Sequence, residues 1–274
     1  MSDFTPPSDS ARDSMDSVRR QIDDVDATIL SLMAKRLQLA DEMAGLKAPQ
    51  TGLPIRPGRE VALLRRLVGA AEAPLERELV IEVWRSLIAA SLRRQRTIDV
   101  VVGGGRTDPT RLFDIARRHF GARTRIKDMV EPQAALQKAA ENPDTMVAVT
   151  PWPAAPGVGA WWPALSETRF QSLRLIAGLP LLGATDDPEA ALFAASSPEE
   201  SGSGDVSMVL ANDPHHRLQR ALSDVGFEGK EIARAEPRVL VRVHAFLVAD
   251  DPRALALEHS GLKNVRVLGS YARI

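Results

Sequence analysis

The sequence predicts a multidomain chain: an all-α N-terminal segment of three helices, then an α/β part, then a ferredoxin-like βαββαβ part. Three observations predict it. Before Pro49, apolar residues recur at alternating four- and three-residue steps. From Ile98 short apolar runs alternate with helical stretches and Gly/Pro turns. From Val206 the runs read strand, helix, strand, strand, helix, strand. The three parts are expected to span residues 1–97, 98–205 and 206–274.

Composition bounds the function classes. The chain has 274 residues, 44% hydrophobic and 26% charged, which is long for one compact domain and suited to a folded one of several parts. Lysine plus arginine is 35 against 36 acidic residues, a net charge of −1, which argues against a nucleic-acid partner. Cysteine is absent, which removes disulfides, thiolate nucleophiles and cysteine-held metals. No metal and no cofactor are expected. The start Met1-Ser2-Asp3-Phe4-Thr5-Pro6-Pro7 lacks a signal pattern, and no apolar run reaches membrane-spanning length. The expectation is a cytoplasmic protein with no membrane partner.

The first helix is expected from about Ser14 to Lys47. Val18, Ile22, Val25, Ile29, Leu32, Leu39, Met43 and Leu46 form its seam. At 1.5 Å per residue it would be roughly 50 Å long, too long to bury in a domain of this size. A partner helix from a second copy of the chain is the expected cover. The breakers Pro49-Gln50-Thr51-Gly52-Leu53-Pro54 end it, and Pro57-Gly58 precedes a second helix near Arg59–Val68. Pro74 suits the first turn of a third helix that ends near Gln95.

Beyond Ile98 the expected elements follow in order. Asp99–Val102 is a strand closed by Gly103-Gly104-Gly105, Pro109–His119 a helix, Gln133–Ala140 a helix and Met146–Val149 a strand. Pro151–Trp162 should be irregular, and Leu173–Ile176 a strand. Ser196–Gly204 marks a boundary or exposed loop. The last part reads strand Val206–Ala211, helix Pro214–Val225, strands Glu231–Ala235 and Val239–Val248, helix Pro252–Glu258 and strand Val265–Leu268.

Polar residues interrupt the apolar stripes at a few places. Arg36 occupies a seam position of the first helix, and Lys47, eleven residues on, returns to nearly the same face. In the third helix Trp84 and Ile88 lead at helical spacing to Ser91 and Gln95, and Arg59-Glu60 opens the second. Brought together, these residues would form a cationic, hydrogen-bonding pocket inside a helical bundle. Solvated arginine and lysine stems are the alternative reading.

The pattern Val18-Arg19-Arg20-Gln21-Ile22-Asp23-Asp24-Val25-Asp26, Ala34-Lys35-Arg36, Lys47, Arg59-Glu60 and Ser91-x3-Gln95 resembles the all-helical chorismate mutases. The resemblance implies an intertwined homodimer of three-helix chains that rearranges chorismate to prephenate. It makes Arg19 and Arg36 the carboxylate-binding arginines, with Arg19 donated by the partner chain. It makes Lys47 and Gln95 the donors at the ether oxygen and Glu60 the acceptor of the substrate hydroxyl, with Arg59 beside it and Ser91 at a carboxylate. Where the family usually has an aspartate, this chain has Arg56. The reaction needs no nucleophile, metal or proton shuttle, and Met1–Thr97 contains no His and no Cys.

The remainder resembles the dehydratase and amino-acid-sensing ACT parts of the fused chorismate mutase–prephenate dehydratases. Val100–Gly105, Val147–Pro151 and Val265–Tyr271 carry that likeness. The middle part is too short for a complete two-lobed dehydratase. Thr168-Arg169-Phe170 copies the catalytic tripeptide in letters, but it stands before the Leu173–Leu182 run, and Ala190-Ala191-Leu192-Phe193 occupies the family's place for it. In the ACT-like part Pro214-His215-His216 and Ala235-Glu236-Pro237-Arg238 replace the usual ligand motifs. Two other functions stay open: a bifunctional mutase and dehydratase, and a non-catalytic dimeric partner of a shikimate-pathway enzyme. Gly103–Gly105, His215-His216 and Trp161-Trp162 read as a turn, a solvated helix start and loop packing.

Overall fold

A computed structural model describes residues 9–46, 52–104, 109–153, 159–183, 185 and 187–274. The chain divides into two compact units, Met1–Ala48 and Pro49–Ile274. The first holds one continuous helix, α1 (Asp9–Gly45), 37 residues and roughly 55 Å long. Its seam residues Val18, Ile22, Val25, Ile29, Leu32, Leu39, Met43 and Leu46 are each at least 47% exposed. An uncovered row of that length is not what one soluble helix leaves to water.

The second unit opens with α2 (Pro57–Ala70) and α3 (Arg77–Gln95). Pro57 stands in the first turn of α2, where its missing N–H costs nothing. Pro74 is not in the first turn of α3, contrary to the sequence expectation. It sits in a tight turn closed by the Leu75 N–H donating to the Glu72 carbonyl at 2.9 Å, and the helix starts after Glu76.

The α/β elements are β1 (Asp99–Gly103), α4 (Pro109–Phe120), β2 (Arg125–Met129), α5 (Pro132–Glu141), β3 (Met146–Pro151), β4 (Arg174–Leu179) and β5 (Ala190–Ala194). Two short 3-10 turns, Trp162–Ser166 and Thr168–Phe170, precede β4. Then come β6 (Val206–Asn212), α6 (Leu218–Val225), β7 (Gly229–Ala235), β8 (Arg238–Val243), α7 (Pro252–His259) and β9 (Lys263–Tyr271). The strand order β9-β6-β8-β7 with two helices is the expected ferredoxin-like βαββαβ arrangement.

Two of its elements are shorter than expected. The helix begins at Leu218 rather than Pro214. The buried Asp213 carboxylate accepts from the Arg217 N–H at 2.7 Å and the Leu218 N–H at 3.3 Å, holding 214–217 as a turn ahead of it. Strand β8 stops at Val243 because the next residues are tied elsewhere. Ser207 Oγ donates to the Ala245 carbonyl at 2.6 Å and accepts from the Leu247 N–H at 2.9 Å.

All nine strands lie in one sheet, β2-β1-β3-β5-β4-β9-β6-β8-β7. Strands β2 and β5 had no sequence signal, because Arg-Ile-Lys-Asp-Met is polar and Ala-Ala-Leu-Phe-Ala reads as helix former. Pairing with β1 makes the first an edge strand, and burial between β3 and β4 makes the second a central one. Helices α2, α3 and α4 share one core with a face of the sheet, through Leu64, Ile88, Leu92, Ile115, Val100 and Val149. Trp152, Trp161, Trp162 and Phe170 fill the core on the other face with α5.

The α/β and ferredoxin-like halves of the sheet meet at a single register pair, Leu175 with Gly269. Gly269 has φ +144°, and a Cβ there would strike the Leu175 carbonyl oxygen and lie 2.8 Å from its nitrogen. Gly269→Ala should therefore lower stability by about 2 kcal/mol or more, since backbone must move to make room. Chemical denaturation of the two proteins checks it; an unchanged midpoint would show that the two halves do not depend on this approach.

Candidate active-site residues and the Arg85 network

The residues selected by sequence fall into both units. In α1, Arg19 is exposed and its Nη1 lies 2.9 Å from Asp16 Oδ1. Arg36 stands on the same unbroken helix seventeen residues further on, so the two rise roughly 25 Å apart along it. One small dicarboxylate cannot span that distance. Lys47 lies outside the described residues.

In the second unit, Arg59 is exposed at the first turn of α2, and Glu60, next to it, is buried at 8% exposure. Ser91 Oγ on α3 donates back to the Leu87 carbonyl at 2.9 Å, a local bond within the helix. Gln95 is exposed at the last position of α3. Arg56 is engaged elsewhere: its Nε donates to Glu199 Oε1 at 2.7 Å.

Sequence reading missed the partner of Glu60. Arg85 of α3 is 5% exposed, and its Nη1 forms an ion pair with Glu60 Oε2. The same guanidinium donates through Nε at 3.1 Å and Nη2 at 2.6 Å to the His119 carbonyl near the end of α4. One side chain therefore ties three helices, and both buried charges are paired and hydrogen-bonded as a dry interior requires. The signal was present in position only: Arg85 follows Trp84 on an apolar stretch, where burial cannot be told from snorkelling. A pocket of about 190 Å³ opens beside this network between α3 and α4, with Arg85 and His119 in its wall. None of the residues selected by sequence lines it.

The tripeptide Thr168-Arg169-Phe170 is a 3-10 turn whose Phe170 is fully buried in the core. Arg169 lies over the Phe170 ring and pairs with Glu167 at 2.7 Å, while Thr168 is exposed. Trp161 and Trp162 pack in the core. His216 is exposed and stands 3.7 Å from Glu236. Among the described residues no group of three or more His, Asp or Glu gathers where it could hold a metal ion. No helix among them is long and apolar enough to cross a membrane.

Residues 18–96 match the family described as chorismate mutase type II, so the N-terminal part carries a domain of that class. A bifunctional chorismate mutase/prephenate dehydratase of Neisseria gonorrhoeae is 36% identical over 103 residues, which is 38% of this chain and 27% of that protein. The protein of the same description from Pseudomonas aeruginosa is 27% identical over 115 residues, 40% of this chain and 31% of its own. The matches thus span about a third of the length of these curated relatives. A crystal structure of a prephenate dehydratase from Arthrobacter aurescens with L-Phe superposes at a TM-score of 0.44 and 15% identity, over 64% of this chain and 90% of that one.

The Arg85 network has a pH signature. Burial, and then the Arg85 charge, hold the His119 imidazole well below its ordinary value of 6.5. The unfolded chain protonates this histidine first, so it binds more protons than the folded one as the pH falls. Stability is fully present above about pH 6.5 and is lost below it, with a slope of at most about 1.4 kcal/mol per pH unit. Comparing wild type with His119→Leu between pH 7.5 and 5.5 should show the extra acid sensitivity in wild type alone. Parallel curves would mean that His119 is not held neutral.

Proposed function

We propose that the protein is a homodimeric chorismate mutase that converts chorismate to prephenate in aromatic amino acid biosynthesis, in the cytoplasm. One observation carries the reading beyond the family match: Arg19 and Arg36 stand roughly 25 Å apart on one helix whose whole apolar seam is exposed. In this reading a second copy covers the seam, and the two arginines of one chain serve two different sites. Each site takes Arg36 from one chain and Arg19 from its partner.

The chemistry asks little of the protein beyond holding charge in place. Chorismate is a dianion that rearranges through a compact, chair-like conformer. In this proposal Arg19 and Arg36 grip its two carboxylates and hold the reactive shape. Lys47 and Gln95 donate to the ether oxygen, where negative charge grows as the C–O bond breaks. Glu60 accepts from the substrate hydroxyl, Arg59 sits beside it, and Ser91 assists at a carboxylate. The Arg85 ion pair then has a function besides packing, because it aims the Glu60 carboxylate while occupying only Oε2.

We assign the mutase to 1–97, a shortened dehydratase-like part to 98–205 and an ACT-like part to 206–274. The bifunctional reading loses support from the buried Phe170 and exposed Thr168, and from the wholly buried apolar strand β5 at the family's place for the tripeptide. A non-catalytic dimeric partner would dispense with the donors at the ether oxygen.

Purified protein incubated with chorismate should form prephenate and no phenylpyruvate above background. Lys47→Ala and Gln95→Ala should each lower turnover on the order of 10²–10³-fold, as loss of a charge-stabilising donor does, with little change in melting temperature. No prephenate would leave the non-catalytic partner standing, phenylpyruvate abolished by Thr168→Ala would establish the bifunctional enzyme, and near-normal rates in both variants would sink the site assignment.

A further inference from the structure

A second concentration of arginines lies in the Pro49–Ile274 unit, in a pocket lined by none of the residues assigned to the rearrangement. It lines a pocket of about 640 Å³ where the first residues of β9 and the ends of β6 and β8 meet the turn before β4. That volume falls within the range of small-molecule sites, roughly 300–1,000 Å³. Arg174, Arg238 and Arg266 face it together with Gln171 and Asn212, and Asp250 is the one carboxylate in the lining.

The register explains why the arginines converge. Leu210 of β6 pairs with Arg266 of β9, and Asn212 of β6 pairs with Arg238 of β8. Positions 210 and 212 share a face of their strand, and so do their partners across the ladder. Arg238, Asn212 and Arg266 therefore leave the sheet on one side. It is the side opposite α6 and α7, which cover Val209, Ala211 and Val239.

These cations are held without counter-charge. Arg266 donates to the Leu165 carbonyl, to that of Phe170 at 2.8 Å and to that of Leu173 at 3.4 Å. Arg174 donates to the carbonyls of Gln171 and, at 3.0 Å, Leu173. Among the described residues none of the three guanidiniums forms a salt bridge with a carboxylate, whereas Arg56, Arg111, Arg234, Arg242 and Arg253 all do. Burial and then the neighbouring Arg174 charge lower the Arg266 guanidinium to about 10. Two like charges kept together by neutral carbonyls are a standing cost, and an anion placed between them removes it.

We propose that this pocket binds a small organic dianion, a dicarboxylate or a phosphate ester, through Arg174, Arg238 and Arg266. Three guanidiniums against Asp250 leave two positive charges in excess, which a dianion balances. Guanidinium forks match the planar carboxylate and the phosphate oxygens alike, so both head groups share the chemistry. The site is independent of the mutase reading, since none of the residues proposed for the rearrangement lines it.

The test is calorimetric titration of the full chain at low ionic strength with succinate and, separately, inorganic phosphate. Saturable one-to-one binding of at least one probe is expected, weakened tenfold or more by Arg238→Ala and by Arg174→Gln. The probe that binds identifies the head group. The Arg238 side chain makes no hydrogen bond among the described residues, so Arg238→Ala should keep the melting temperature of the unliganded protein. A chain with Arg19→Ala and Arg36→Ala together should bind the probe as wild type does. The proposal is overturned by no saturable binding of either probe, by binding that survives Arg238→Ala and Arg174→Gln, or by binding lost in the Arg19→Ala, Arg36→Ala chain.

Discussion

One buried guanidinium sets the geometry of the helical part of the second unit. Arg85 reaches from α3 to Glu60 on α2 and to the His119 carbonyl on α4. Without it a carboxylate would be left charged and unpaired in a dry site, an arrangement that is strongly unfavourable. With it, α2 and α3 are fixed to α4 and hence to the sheet, through a core that runs from Leu64 and Ile88 to Val100 and Val149. Helices α2 and α3 thus share their core with the α/β part. A cut after Arg96 would strip the apolar face of α2 and α3 of its cover, even though every residue proposed for catalysis precedes that point.

The first helix obeys a different constraint. A 37-residue helix with an exposed apolar row has far more surface to bury than its own unit contains. A second copy is the occupant we favour, because it also resolves the positions of the two arginines. Pairing two such helices would bring Arg19 of one chain towards the residues of the other. In that proposal the fold and the chemistry share one requirement, a second chain that covers the seam and completes the site.

Much of this was legible from sequence, for identifiable reasons. The α1 seam repeats over the whole helix, so its period could be read without any tertiary information. The βαββαβ order was legible because each of its apolar runs is bounded by turn residues. Strand β5 was not, because Ala190–Ala194 takes its conformation from β3 and β4 on either side rather than from its own preference. Strand β2 was hidden by its charges, which an edge position tolerates. Among the candidate residues, Gln95 stands out by its helical spacing from Trp84, Ile88 and Ser91 and Glu60 through the family resemblance, but the Glu60–Arg85 pair is not legible, because it joins positions 25 residues apart on two helices. The Arg174, Arg238 and Arg266 pocket was equally invisible, since residues far apart in the sequence meet there only in the folded sheet.

The shared site is tested most directly by mixing two inactive chains. Arg19→Ala and Arg36→Ala homodimers should each have lost most chorismate mutase activity. After subunit exchange, a mixed dimer contains one site with both arginines and one with neither. Activity should then return, towards roughly a quarter of the wild-type rate, since about half the dimers are mixed at equal stoichiometry and each regains one of two sites. No recovery after verified exchange, or full activity in either single variant alone, would contradict a site built from two chains.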